Sequence, residues 1–382
     1  MEAVDLAHVP VVDNHCHGIW RSQVFDDPVR WRRAFTESAH PGMPREHVAG
    51  TVFYRRLLRT LARYFGCEPD EESVLAVRAE KDGPEFIGTL LRDANVEVLL
   101  LDTGYPPPEE VLTGDELGEL GGCRVEPMLR LETLMERLIA EHGSLGEVRE
   151  ALVASLDDAR GQGYVALKSI VAYRTGLNIR EWPEEEAEAS FREFLRAAEG
   201  GVSRLAHKPL LDTLLHAAFA EAAKQELPVQ FHVGYGDTDA DLLLGNPLHL
   251  RAVLERPDYR GMPVVVLHEC YPYSREGGYL AAVYENVYLD LSYGIPFLGY
   301  GEMLSFTRAA FGVAPTSKLL YSSDGIGVPE LHWMGALYGR RALGEVLGEL
   351  VAHGELGLSE AEAAGENVLR GNATRLYLLD SG

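Results

Sequence analysis

Eight short runs of apolar, largely β-branched residues recur along this chain, with helical stretches between them. They lie near 9–15, 96–102, 123–129, 164–171, 228–232, 263–268, 287–291 and 318–322. These runs lack polar alternation, so each reads as a strand buried on both faces, as in a parallel sheet. Helical stretches near 145–161, 184–197, 209–226, 248–256, 275–285, 301–311 and 333–351 provide the crossovers that parallel strands need. The pattern predicts an α/β fold, a (β/α)8 TIM-type barrel.

Such a barrel needs about 250 residues, and the chain has 382. The surplus falls between the first two strands, where roughly 80 residues stand in place of the usual βα connection, the whole unit of which takes about 30. This stretch is aromatic-rich and amphipathic, with Trp20, Trp31, Phe35, Phe53, Tyr54, Tyr64 and Phe65. It reads as a helical insertion, 19–95, capping the mouth of a barrel formed by 1–18 and 96–382. The dull alternative is a set of extra packing helices. Near the C-terminus, Ser359 and Glu362 have capping-box spacing, and Gly371 reads as a helix stop.

The strand ends carry the chemistry. The first run closes on His15-Cys16-His17, the fifth on His232, the sixth on His268 and the eighth on Asp324. Residues two apart on a strand point the same way, so His15 and His17 can reach one cation while Cys16 points away. A lone histidine at a strand end is more often structural than a ligand. Several in this order point to one metal site at the end of the barrel where the strands finish. Imidazole with a carboxylate suits zinc first, with manganese, iron or nickel as further candidates.

The formal net charge is −24. This argues against nucleic acid and anionic membranes as partners, and the expected partner is the small-molecule substrate of the strand-end site. No apolar stretch approaches 18 residues, so no membrane span is expected. The acidic start, Met-Glu-Ala-Val-Asp, lacks a basic leader. Cys16, Cys67, Cys123 and Cys270 form no CxxC pair. A cytoplasmic location follows as the expectation, and a homo-oligomer is compatible with it.

Lys168 sits inside an apolar strand, where a lysine is not left buried without a partner or a chemical change. Three readings stand open: a carbamate bridging two metals, an ammonium that binds substrate or developing charge, or a side chain that snorkels to solvent. Tyr173 and Arg174 follow, as candidate substrate contacts. The guanidinium fork suits a carboxylate, and equally a structural salt bridge. Gly234 and Gly236 allow a tight turn or a close backbone approach after His232. Asp237 either orients a ligand histidine or caps its loop. Glu269 faces away from the site if its strand continues. Glu330 and His332 either line the pocket or begin a helix. No nucleophile elbow, P-loop or strand-borne GxGxxG is present.

Taken together, His15-Cys16-His17, Lys168, His232, His268 and Asp324 resemble the ligand pattern of the amidohydrolase superfamily. Phe231-His232-Val233-Gly234-Tyr235-Gly236-Asp237, Lys168-Ser169-Ile170-Val171-Ala172-Tyr173-Arg174 and Tyr321-Ser322-Ser323-Asp324-Gly325 resemble its amidohydrolase-2 type, as found fused to glutamine-synthetase-like domains in nodulin- and fluffy-type proteins. The resemblance implies that His15, His17 and Asp324 bind a first metal. A carbamylated Lys168 would bridge to a second metal on His232 and His268. With Lys168 unmodified, one metal on His15, His17, His232 and Asp324 is implied, and His268 is free to polarise a carbonyl.

The expected function is hydrolysis of an amide or other C–N bond in a small carboxylate-bearing substrate, of N-acyl or γ-glutamyl type. Metal-activated water attacks, with Asp324, His268 and Lys168 as catalytic residues and Lys168, Tyr173 and Arg174 as substrate contacts. The alternatives are a metal-dependent decarboxylase or isomerase of the same superfamily, and outside catalysis a metal-binding scaffold.

Overall fold

The computed structural model describes residues 2–25, 27–81, 83–199 and 204–379. Eight parallel strands follow one another in chain order: β1 (Val11–His17), β2 (Val96–Asp102), β3 (Arg124–Arg130), β4 (Ala166–Ser169), β5 (Val229–Phe231), β6 (Val264–Val266), β7 (Val287–Ser292) and β8 (Leu319–Ser322). The two ends of the sheet meet just past β8. There Asp324 N donates to His15 O at 3.1 Å and His17 N donates to Gly325 O at 2.8 Å. The expected (β/α)8 barrel is the observed fold.

Its interior is filled by inward-facing residues, Val12, Val98, Leu100, Met128, Ala166, Val265, Leu267 and Leu320. Tyr377, from the C-terminal helix Asn372–Tyr377, joins this cluster. The Tyr377 hydroxyl donates to Asn14 Oδ1 at 2.5 Å and accepts from Gln230 Nε2 at 2.8 Å, so this helix closes one end. Between the sheet and its helices runs a larger apolar layer that includes Leu99, Leu167, Phe231 and Leu289. Among the described residues, no helix is long and apolar enough to cross a membrane.

Between β1 and β2 lie helices Pro28–Arg33, Val52–Phe65, Glu71–Glu80 and Pro84–Asp93. The first three start on side-chain caps. Asp27, Thr51 and Asp70 accept from Arg30 N, Tyr54 N and Ser73 N at 2.8, 3.1 and 2.9 Å. Such caps satisfy amides that the first helical turn leaves free. Trp31 packs edge-on against Phe25 and Phe35, with ring centroids 4.9 and 4.8 Å away. Helix Pro84–Asp93 packs against Gly114–Gly121 and the long helix Pro329–Ala352, the position of an ordinary barrel helix.

Two expectations near the C-terminus are corrected. The cap of helix Leu358–Glu366 is Gly357, whose amide donates to Glu360 Oε2 at 2.7 Å, so the Ser359–Glu362 spacing is not used. Gly371 does not stop the helix either. Its φ of −61° is right-handed, and the chain passes through a wide turn, Asn367–Gly371, into Asn372–Tyr377.

Candidate metal centre

β1 delivers His15 and His17 to the same side, as strand alternation requires. Their Nε2 atoms each lie 3.7 Å from Asp324 Oδ1. One ligand atom from each of the three residues falls within 4.8 Å of the others. Cys16 points the other way, with its thiol directed at Leu100 O, 3.5 Å away. Asp324 lies two residues beyond β8 at φ 51°, and His268 lies two beyond β6 at φ 61°. Non-glycine residues rarely adopt this left-handed region, and those that do concentrate at functional sites.

His232 and His268 form a second pair. His232 Nε2 is 2.5 Å from Tyr235 O, and its Nδ1 is 3.0 Å from His268 Nε2. His268 Nδ1 lies 3.4 Å from Asp324 Oδ2 and 3.2 Å from Ser292 Oγ. Beneath it, the buried Asp290 accepts from His268 N at 2.8 Å and from Ser292 Oγ at 2.5 Å. Burial pushes the Asp290 carboxyl up to about 6.

Lys168 stands between the pairs, with Nζ 3.2 Å from His15 Nε2. At 1% exposed it does not snorkel, which removes one of the three readings. Burial lowers its ammonium to about 8, against the pull of Asp102. Burial likewise lowers all four imidazoles, His17 to about 4, and the Lys168 charge adds to this. Burial raises Asp324 well above the carboxylate range, against the hydrogen bond from Tyr235.

These groups fit a divalent metal. Neutral imidazole is the ligating form, and a second partner selects which nitrogen keeps the lone pair. A carbonyl only accepts. Tyr105 O, 3.0 Å from His17 Nδ1, therefore leaves the lone pair on Nε2, facing Asp324. By the same rule Tyr235 O leaves the His232 lone pair on Nδ1, facing His268. Two nitrogens on a tetrahedral ion with bonds of about 2.1 Å stand ~3.4 Å apart, near the observed spacing. His15 Nδ1 lacks such an anchor, being buried with no partner among the described residues.

The centre opens onto a cavity of about 420 Å³, lined by His17, Lys168, His232, His268 and Asp324 at its floor. Arg174 lines its wall, pairs with Glu136 Oε1 at 3.3 Å, and has a buried Nε with no partner among the described residues. Tyr173 lies over His232 with ring centroids 4.3 Å apart. Its hydroxyl passes so close to Gly236 that a Cβ there would stand 2.2 Å from it. Gly234, at φ 77°, presses against Tyr271 O.

Asp237 lines the cavity and caps its own loop, accepting from Asp239 N at 2.8 Å. The carbonyl that orients His232 comes instead from Tyr235. Glu269 stays out of the cavity, and its Oε2 accepts from Ser292 N at 3.1 Å. β6 ends before it, at a left-handed turn that begins at His268. Glu330 and His332 begin the helix after β8 and do not line the cavity.

Several lining residues escaped the sequence reading: Tyr235, Arg130, Tyr105 and, from the segment after β1, Arg33 and Glu37. Arg130 ends β3 and pairs with Asp102, at the end of β2, at 2.6 Å. Burial works to raise the Asp102 carboxyl, but Arg130 and His17 outweigh it and hold it at about 2. Both are polar residues at a strand end, Asp102 after the apolar run 98–101 and Arg130 after Met128-Leu129, the signal already used for the histidines.

The profile of the family described as Amidohydrolase matches residues 134–379. The protein fluG of Emericella nidulans is 29% identical over 401 residues, covering 97% of this chain and 46% of that protein. The chain thus spans about half the length of this curated relative. A presumed metal-dependent hydrolase from Lactobacillus casei superposes with a TM-score of 0.87 at 30% identity, covering 100% of this chain and 98% of that one. The uronate isomerase of Thermotoga maritima shares the fold, with a TM-score of 0.69 at 18% identity over 97% of this chain and 95% of its own.

Proposed function

We propose, from the premise that this chain belongs to the amidohydrolase family and has the fold of its metal-dependent hydrolases, that it hydrolyses an amide or other C–N bond of a small carboxylate-bearing substrate. The observation that carries the reading is the approach of His15 and His17 to a single oxygen of Asp324 at the floor of a cavity. His15, His17 and Asp324 would hold one divalent ion, zinc by donor type. The facing nitrogens of His232 and His268 would hold a second, with Lys168 as a carbamate between them. The insertion 19–95 would contribute the cap through its first part, where Arg33, Ala34, Thr36 and Glu37 line the cavity.

When bound, the metal supplies an activated water and a Lewis acid for the carbonyl. The chain supplies the rest. Asp324 takes the proton of the attacking water and delivers it to the leaving nitrogen. Arg174, on the cavity wall, holds the substrate carboxylate, and Tyr173 packs beside it. The cavity volume suits a small acid, being at the lower end of ligand pockets. N-acyl and γ-glutamyl amides are the first compounds to test.

The experiment is to assay zinc-loaded protein for amine release from a panel of N-acyl and γ-glutamyl amides. Release that stops on chelation supports the proposal. Carbon dioxide release from aromatic acids, or isomerisation of hexuronates, without amide cleavage would replace it with another reaction on the same centre.

A further inference from the structure

We infer that Tyr235 is a positioning residue of this centre: its hydroxyl holds one oxygen of Asp324 so that the other stays turned toward His15 and His17. The inference rests on the metal reading above and adds a residue to it. The phenol makes a short hydrogen bond to Asp324 Oδ2. As a metal ligand Asp324 is an ionised carboxylate, to which the phenol can only donate, so the bond has one direction. Oδ1 is then left as the oxygen shared by both β1 histidines.

Such a holder has work to do here. The last torsion of an aspartate is broad, so packing alone does not choose which oxygen faces which neighbour. Asp324 sits outside the strand on a left-handed residue, and its backbone bond to His15 O holds the main chain without choosing the turn of the carboxylate. Tyr235 is itself fixed from three sides. Its amide donates to Tyr271 O at 2.7 Å. Its ring stands edge-on to His268 and Phe297, each with centroids 5.2 Å apart. It is 6% exposed. The same residue's carbonyl takes the Nε2 proton of His232. One residue thus orients a ligand in each half of the centre, through its side chain for Asp324 and its backbone for His232.

That division makes the test selective. Tyr235→Phe deletes the hydroxyl and keeps both the ring packing and the carbonyl on His232. Zinc affinity, measured by competition with a chelating dye, is expected to fall 10–100-fold, the usual effect of losing a partner behind a ligand. Phe297→Leu perturbs the same aromatic cluster without touching the hydroxyl and is expected to bind zinc within threefold of wild type. In an Asp324→Asn background, Tyr235→Phe is expected to add less than a threefold loss, because the two act as a unit. Wild-type zinc affinity in a folded Tyr235→Phe protein overturns the inference, as does an equal loss in Phe297→Leu. A Tyr235→Phe chain that does not fold overturns it too, since the hydroxyl would then serve the fold at large. Wild-type protein that binds no zinc refutes the metal reading itself, a result distinct from the others.

Discussion

Arg78 reaches out of the segment after β1 and places its Nε 2.8 Å from Glu330 Oε1, with the two side chains 2% and 0% exposed. The same guanidinium donates to Gln23 O and Gln23 Oε1, at 3.0 and 2.9 Å, and lies 5.2 Å from the ring centroids of Phe25, Trp31 and Phe86. Glu330 opens the helix that follows β8, so this pair fastens the segment between β1 and β2 to the helix after the last strand.

Removing one member of a buried pair strands the other charge away from water. Glu330→Leu is expected to destabilise the protein by about 3–5 kcal/mol. Urea unfolding checks this through a lowered midpoint. A loss under 1 kcal/mol would mean that water reaches the pair.

Metal removal should act on stability as well as activity. Dialysis against a chelator is expected to lower the melting temperature and abolish turnover, with zinc restoring both. A ligand that binds only the folded chain stabilises it by about 4 kcal/mol at a thousand times its dissociation constant. Elemental analysis should find one to two ions per chain (~1–2) in the native enzyme. Folded, fully active, metal-free protein would refute the dependence.

Lys168→Ala separates the two remaining roles of Lys168. With a carbamate, metal content falls from about two ions toward one or none, and a short added carboxylate partly restores activity. With an ammonium, metal content stays and only turnover or substrate affinity drops. The facing His232 and His268 nitrogens favour the first outcome.

Arg174→Gln should leave metal content unchanged and raise KM about 10–100-fold for substrates with a carboxylate, since hydrogen bonds to charged groups contribute about 1.5–3 kcal/mol. An esterified substrate should lose little. Steady-state kinetics on the acid and ester pair decides it, and equal effects on both would assign Arg174 to its salt bridge with Glu136.

Glu37 gives a pH signature. Burial, with Asp237 adding, raises its carboxyl from 4.5 to about 7, while Arg33 opposes. A raised carboxyl means that the native chain binds this proton more tightly than the unfolded one, so stability falls as pH rises. The fall begins near 4.5 and is complete above 7. Glu37→Gln should therefore gain on wild type across that window and no further beyond it. Unfolding midpoints at pH 5 and pH 8 measure the gap, and a gap that does not widen would show Glu37 unperturbed.

The strands were legible because a parallel sheet leaves runs of unbroken apolar residues. β2 and β7 were read to within a residue at each end, and β1 gave both histidines through strand alternation alone. The reading ran short where the backbone leaves regular structure. His268 and Glu269 lie past a strand of three residues, in a left-handed turn that no periodicity announces. The role of Tyr235 left no sequence signal because the partner of its hydroxyl, Asp324, is set by tertiary placement. Arg130 and Asp102 were within reach, since each closes an apolar run, but a search for metal-binding types passed over an arginine. Glu330 read equally as pocket or helix because its partner, Arg78, lies far away in the chain.

The hydrogen bonds that join the end of β8 to β1 run through Asp324 and His15, two of the candidate ligands. The seam of the barrel and the centre are thus one place. A chain emerging from the ribosome presents His15 and His17 before Asp324, and the seam waits until Asp324 has been made. The chain is therefore expected to be unable to hold a metal in this geometry until Asp324 has been made, and to gain that ability as the circle closes.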